Sequence, residues 1–216
     1  MRIVIDLQGA QGSNGQRGIG RYTMALTRAI VENRKDHEVI LALSGLFPDT
    51  IQPIRAAFDG LLPQENIRVW HAPGPVAFHD AENHWRKGAA EKVREAFFAS
   101  TTPDIVVICS FFEGYVDDAV TSVGLLSQSI PTAVILYDLI PYIYPSQYLD
   151  NPDVNIWYRK KIEQFRQCDL WLTISESSRQ EGIEHLGLSS DQVVNISTDA
   201  NAAFQPVEIV SEEAIS

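Results

Sequence analysis

The sequence predicts a doubly wound α/β domain, a mostly parallel, Rossmann-like sheet with helices on both faces. Short runs rich in Val, Ile and Leu recur along the chain, and several are apolar at consecutive positions, as in strands covered on both faces. Stretches with helical spacing of apolar residues separate them, so that strands and helices alternate. The length of 216 residues, 45% apolar and 21% charged, suits one such domain with a sizeable core.

The elements follow in order. Residues 2–7 read as the first strand, and 8–17 as a Gly/Ser/Asn/Gln loop too polar for either periodic structure. Residues 18–33 carry Ile19, Tyr22, Ala25, Leu26, Ala29 and Ile30 at helical spacing. A strand over 38–43, a helix over 50–61 behind a cap at Asp49, and a strand over 67–71 come next. A proline-bearing loop (72–77) leads to a long helix over 82–100, with Trp85, Ala89, Val93, Ala96 and Phe97 on its expected buried face. Strands are expected at 104–110 and 132–137, with a helix over 115–127 between them. After a Pro/Tyr-rich loop (138–152) come a helix (154–167), a strand (170–174), a helix (176–185) and a last short strand (193–196). Trp157 and Trp171, like Trp85, fit core faces. The domain is expected to span 1–206, and the acidic tail 207–216 reads as a linker.

The net charge of −11 argues against a nucleic-acid partner, which needs a basic face. Cys109 and Cys168 each lie in an apolar run and read as buried, reduced thiols of a cytoplasmic protein. No stretch approaches the roughly 20 apolar residues that span a bilayer.

In an open parallel sheet, ligands bind beyond the carboxyl ends of the strands, which selects four loops. The first, GSNGQRGIGRY (12–22), suits an anion: backbone amides approach closely, a helix begins there, and Arg17 and Arg21 add positive charge. It departs from the dinucleotide fingerprint, because Thr23 stands where a third glycine belongs, and no acid follows the second strand at Leu43-Ser44. A nicotinamide-dependent oxidoreductase is therefore disfavoured. In the second loop, SFFEGYVDD (110–118), Glu113 lies just past a buried strand and could bind sugar hydroxyls or assist proton transfer; core packing explains Phe111 and Phe112 better, and helix-terminal charge explains Asp117 and Asp118 better. In the third, YDLIPYIYP (137–145), Asp138 directly follows an apolar strand, beside tyrosines that offer flat surfaces to carbohydrate. In the fourth, TISESSR (173–179), Ser175 reads first as a helix cap, at a terminus that a ligand could share.

These four segments, in this order, resemble the N-terminal domain of family 4 glycosyltransferases, the retaining GT-B enzymes. RGIGRYTMALTRAI (17–30), FFEGYVDDAVTSVG, YDLIPYIYPSQYL and TISESSRQEGIEHLGLSSDQVVNIS are similar to a mannosyltransferase-like subgroup active on bacterial surface polysaccharides. The resemblance implies two Rossmann-like domains flanking a cleft, the N-terminal one mainly for acceptor and the absent C-terminal one for most of the nucleotide sugar. It places Arg17, Gly18 and Gly20 at the donor phosphates, and Glu113 and Asp138 on the acceptor side as candidate catalytic groups. It further implies hexosyl transfer, mannosyl from GDP-mannose included, to a surface glycan or lipid-linked acceptor. The resemblance also implies that no metal is required and that the full-length enzyme works in the cytoplasm or peripherally at the inner membrane surface. Many relatives carry His-Asp where this chain has Tyr137-Asp138, which puts a histidine role in doubt. A stand-alone sugar- or anion-binding module is the alternative.

Overall fold

A computed structural model describes residues 1–126 and 130–198; the end of the expected domain and its linker lie outside the described residues. Seven strands form one sheet in the order β3-β2-β1-β4-β5-β6-β7. They are β1 (Arg2–Asp6), β2 (Glu38–Ser44), β3 (Ile67–Trp70), β4 (Ile105–Ile108), β5 (Thr132–Leu136), β6 (Leu170–Thr173) and β7 (Val193–Asn195). Every neighbouring pair is parallel. The order reverses between β1 and β4, so the loops after these two strands flank the switch point where such sheets bind ligands.

Residues alternate between two cores, as the pleat requires. Val4, Val106, Ile108, Val134 and Leu136 face one core with Phe98, Trp157, Ile162 and Phe165. Ile5, Leu41, Leu43, Val107 and Ile135 face the other with Val31, Ile54 and Phe58. The helices behind the second core are α2 (Gly18–Glu32) and α3 (Pro48–Ala57); those behind the first are α4 (His84–Ser100) and α7 (Pro152–Phe165), with α8 (Glu176–Leu186) contributing Leu186. Asn151 caps α7, its Oδ1 accepting from the amides of Asp153 and Val154, and Pro152 opens the helix where a missing N–H costs nothing. Two expected loops begin with short helical turns: α1 (Gln8–Gln11) after β1, then α5 (Ile140–Ile143) and α6 (Pro145–Tyr148) after β5.

Three expectations are corrected. The expected helix over 115–127 does not form: described residues 115–126 carry no helix or strand. Asp117 and Asp118 are therefore not helix-terminal charges but acceptors for loop amides. The expected buried face of α4 is also displaced. Trp85 is 69% exposed and Val93 is exposed, whereas Lys87, Ala90, Glu91, Arg94, Glu95 and Phe98 are buried. On α2, likewise, Gly20, Thr23, Thr27 and Val31 form the buried stripe, and Ala25 and Ala29 face solvent.

The first two corrections have one cause. The irregular β4–β5 connection lies over the first core, and its backbone polar groups need partners there. The charged face of α4 supplies them. Arg94 donates to the Ser122 carbonyl at 3.0 Å and to Asp6 at the end of β1 through Nε at 3.0 Å, with both side chains essentially inaccessible. Glu95 accepts from Ser122 Oγ and from the amides of Leu125 and Leu126 at 2.7, 2.8 and 2.9 Å. Lys161 of α7 donates to the Thr121 carbonyl and hydroxyl, and its Nζ lies 5.2 Å from the Phe111 ring centre. Gln8 exchanges two hydrogen bonds with the Val120 backbone, at 2.6 and 2.8 Å. Burial drives the Lys161 ammonium well below its ordinary pKa, and nearby Lys87 adds to this; burial lowers Lys87 as well, against the pull of Glu91.

Arg94→Met removes the cation from a buried pair and strands the Asp6 carboxylate. It is expected to cost about 3–5 kcal/mol in urea unfolding; a loss under about 1 kcal/mol would mean that water reaches Asp6.

Candidate functional site

The site is built where the loops after β1 and β4 meet. Gly9 allows that meeting, since a Cβ there would come within 2.7 Å of Ser110 Cβ. The chain then turns back through the glycine loop into α2. Ser13 N donates to Asp117 at 2.7 Å, and Asn14 Nδ2 lies 3.1 and 3.0 Å from the two oxygens of Glu113. Two of the four loops singled out in the sequence are thus joined through carboxylates.

Arg17, Gly18 and Arg21 are exposed at the start of α2, whereas Gly20 is buried. Arg17 occupies the N-cap position with no side-chain cap, and the first turn holds no acidic residue. Neither arginine is ion-paired among the described residues. This helix end is positive and open, as an anion requires. The two glycines differ. Gly20 packs on the backbone of the loop, where a Cβ would lie 2.0 Å from the Gly15 carbonyl oxygen, while nothing lies within 4 Å of a Cβ on Gly18. Gly20→Ala is expected to lose about 1–3 kcal/mol, because backbone must shift. Gly18→Ala should stay within about 0.5 kcal/mol of the parent. Urea denaturation of the two variants separates these outcomes, and equal losses would contradict the Gly15–Gly20 contact.

Glu113 is buried, and both its oxygens are engaged: Ser110 Oγ donates to Oε1 at 2.7 Å, and Asn14 reaches both. Burial raises its carboxyl above the ordinary value, and the bonds from Ser110 and Asn14 only partly offset this. The native state therefore holds the proton to higher pH than the unfolded chain, so stability falls as pH rises through that window. Glu113→Gln has no charge to bury, and its Tm relative to the parent should climb as pH rises from about 4 to 7. A pH-independent difference would mean that Glu113 titrates alike in both states.

Asp138 is exposed, and its Oδ1 accepts from Ile140 N at 3.0 Å, opening α5. Burial raises the Tyr158 phenol, and the negative charge of Asp138 is the next cause. Ser175 is a helix cap, its Oγ accepting from Ser178 N at 3.1 Å, and Ser178 Oγ in turn donates to the Tyr137 carbonyl. Tyr137 links the two halves. Its hydroxyl donates to the Cys109 carbonyl at 3.1 Å, and its ring meets Tyr22 of α2 edge-on at 5.7 Å. All seven candidate residues therefore lie in loops or at helix starts that are tied together at the carboxyl end of the sheet. Sequence reasoning missed Asn14, Ser110 and Asp117 as the groups that tie them. The signal available was a lone Asn inside a glycine loop. Cys109 is fully buried beneath the site, its thiol pushed up to about 12 by burial. Among the described residues, no group of three or more His, Cys, Asp or Glu is placed to hold a metal ion, and no helix is long and apolar enough to cross a membrane.

The fold is shared with solved structures. The lipopolysaccharide outer core galactosyltransferase WaaB superimposes with a TM-score of 0.50 at 10% identity, over 93% of this chain and 46% of its own. The UDP-GlcNAc 2-epimerase of Neisseria meningitidis, solved with UDP-GlcNAc, gives 0.57 at 13% identity, over 90% and 46%. In class, the chain is one Rossmann-like half of the GT-B arrangement. No protein-family model matches it. In sequence it is similar to proteins of Escherichia coli named serotype-specific mannosyltransferase WbdA, at 37% identity over 213 residues in one and 34% over 188 in another. These alignments take in 98% and 87% of this chain but only 25% and 23% of the relatives. The chain is thus a homologue of a glycosyltransferase segment and spans about a quarter of the length of the relatives it matches.

Proposed function

We propose that this chain is the N-terminal, acceptor-side domain of a retaining, nucleotide-sugar-dependent hexosyltransferase. The observation that carries the reading is the 37% identity to a mannosyltransferase across 98% of the chain. The geometry supports it. The α2 terminus, which has no side-chain cap, offers positive charge from Arg17 and Arg21 and first-turn amides to a diphosphate. Exposed Asp138, at the carboxyl end of β5, is available to an acceptor hydroxyl. Mannosyl transfer from GDP-mannose to a bacterial surface glycan or lipid-linked acceptor is the leading case. On this reading the reaction needs no metal, a C-terminal domain completes the donor site, and the enzyme works in the cytoplasm or at the inner membrane surface.

The test is transfer by the full-length protein from GDP- and UDP-hexoses, with products resolved by mass and anomeric configuration. Retained mannosyl product, undiminished by EDTA, is expected, and no transfer from any donor sinks the reading. Titration of the isolated domain with GDP and UDP adds a second check. Weak binding here and tight binding in the longer protein are expected; equal binding by both would favour a self-contained binding module.

A further inference from the structure

We propose that Asn14 is a positioning residue for the glycine loop, held in place by the Glu113 carboxylate, and that this clamp sets the donor-phosphate subsite. The proposal rests on the glycosyltransferase reading above and gives two of its loop residues roles that neither the sequence motif nor the relatives assign.

Asn14 is bonded on both sides. Its side-chain amide lies 3.1 and 3.0 Å from the two Glu113 oxygens. Its backbone carbonyl accepts from Arg17 N at 2.9 Å and Gly20 N at 3.2 Å. One residue thus connects the end of β4 to the first turn of α2, from which Arg17 and the open amides project. Neighbouring contacts close the loop: Gly15 N donates to the Gly12 carbonyl at 2.9 Å, and Ser13 N to Asp117 at 2.7 Å. Glu113 is itself anchored by Ser110 at 2.7 Å, beside Gly9. With both oxygens occupied and the side chain 4% exposed, Glu113 is poorly placed to take a proton from a substrate and well placed to hold Asn14. Its function in catalysis is then indirect, through the loop.

The chemistry of the pair supplies a reversible test. An Asn amide donates and a carboxylate accepts. Asn14→Asp sets two carboxylates against each other at a partly buried contact, and once both are ionised the loop must give way. Adding Glu113→Gln restores a donor facing an acceptor, with the roles exchanged.

The experiment compares the parent, N14D, E113Q and N14D/E113Q in two ways: amide exchange over residues 13–20, and steady-state transfer by the full-length protein. In N14D, exchange over 13–20 is expected to speed up while the strands stay protected, and donor KM to rise about tenfold or more with kcat within about threefold. The double variant should recover both. Unchanged exchange in N14D, or a double variant no better than N14D, overturns the clamp. Loop order that is lost and regained with no change in donor KM overturns the positioning role and leaves the glycosyltransferase reading, decided by product analysis, intact. A parent protein that transfers nothing removes that reading and the positioning role together, and the exchange arm then still reports on the clamp alone.

Discussion

Backbone polar groups that leave water must find partners, and in this domain that constraint falls hardest on the long connection between β4 and β5. A helix there would satisfy its own amides and carbonyls. The chain instead crosses the first core as irregular backbone through the described residues 110–126. Each inward-facing group then needs a side chain from elsewhere, and the charged face of α4, Lys161 of α7 and Gln8 provide them. The Asp6–Arg94 pair is the centre of this arrangement. It joins the end of the central strand to the helix that holds the connection.

The same connection builds the site. Glu113 and Asp117 reach one way to the glycine loop, while Asp118 reaches the other way to the amides of Val76 and Ala77 at 2.6 and 3.1 Å. Burying so many ionisable groups is costly, and replacement by apolar residues often costs less. What the buried charges provide here is a fixed path for a loop that has no regular structure of its own.

Much of the fold was legible because it rests on periodicity. Short runs rich in Val, Ile and Leu, several of them continuously apolar, marked the seven strands, and Ser175 was recognisable as a cap from its place before Glu176. The connection was not legible. Tyr115, Val116, Ala119 and Val120 have spacing compatible with a helix, and no local signal shows that Gln8, Lys87 and Arg94 will bond the backbone there instead. The face of α4 was misjudged for the same reason. Lys87, Glu91, Arg94 and Glu95 share one helical stripe, which propensity and hydropathy alike assign to solvent. Within the site, Arg17, Gly18, Arg21 and Asp138 were identifiable as exposed groups at strand or helix ends. Asn14 was not singled out, because its importance comes from a carboxylate 99 residues away.

Buried side chains are expected to hold this irregular segment as firmly as the sheet it covers. Native-state amide exchange, read residue by residue, tests it directly. The amides of Val120, bonded to Gln8, and of Leu125 and Leu126, bonded to Glu95, should exchange only with openings comparable in free energy to those of β4 and β5. Exchange at these three positions at the rate of an open loop, while the strands stay protected, would contradict the account.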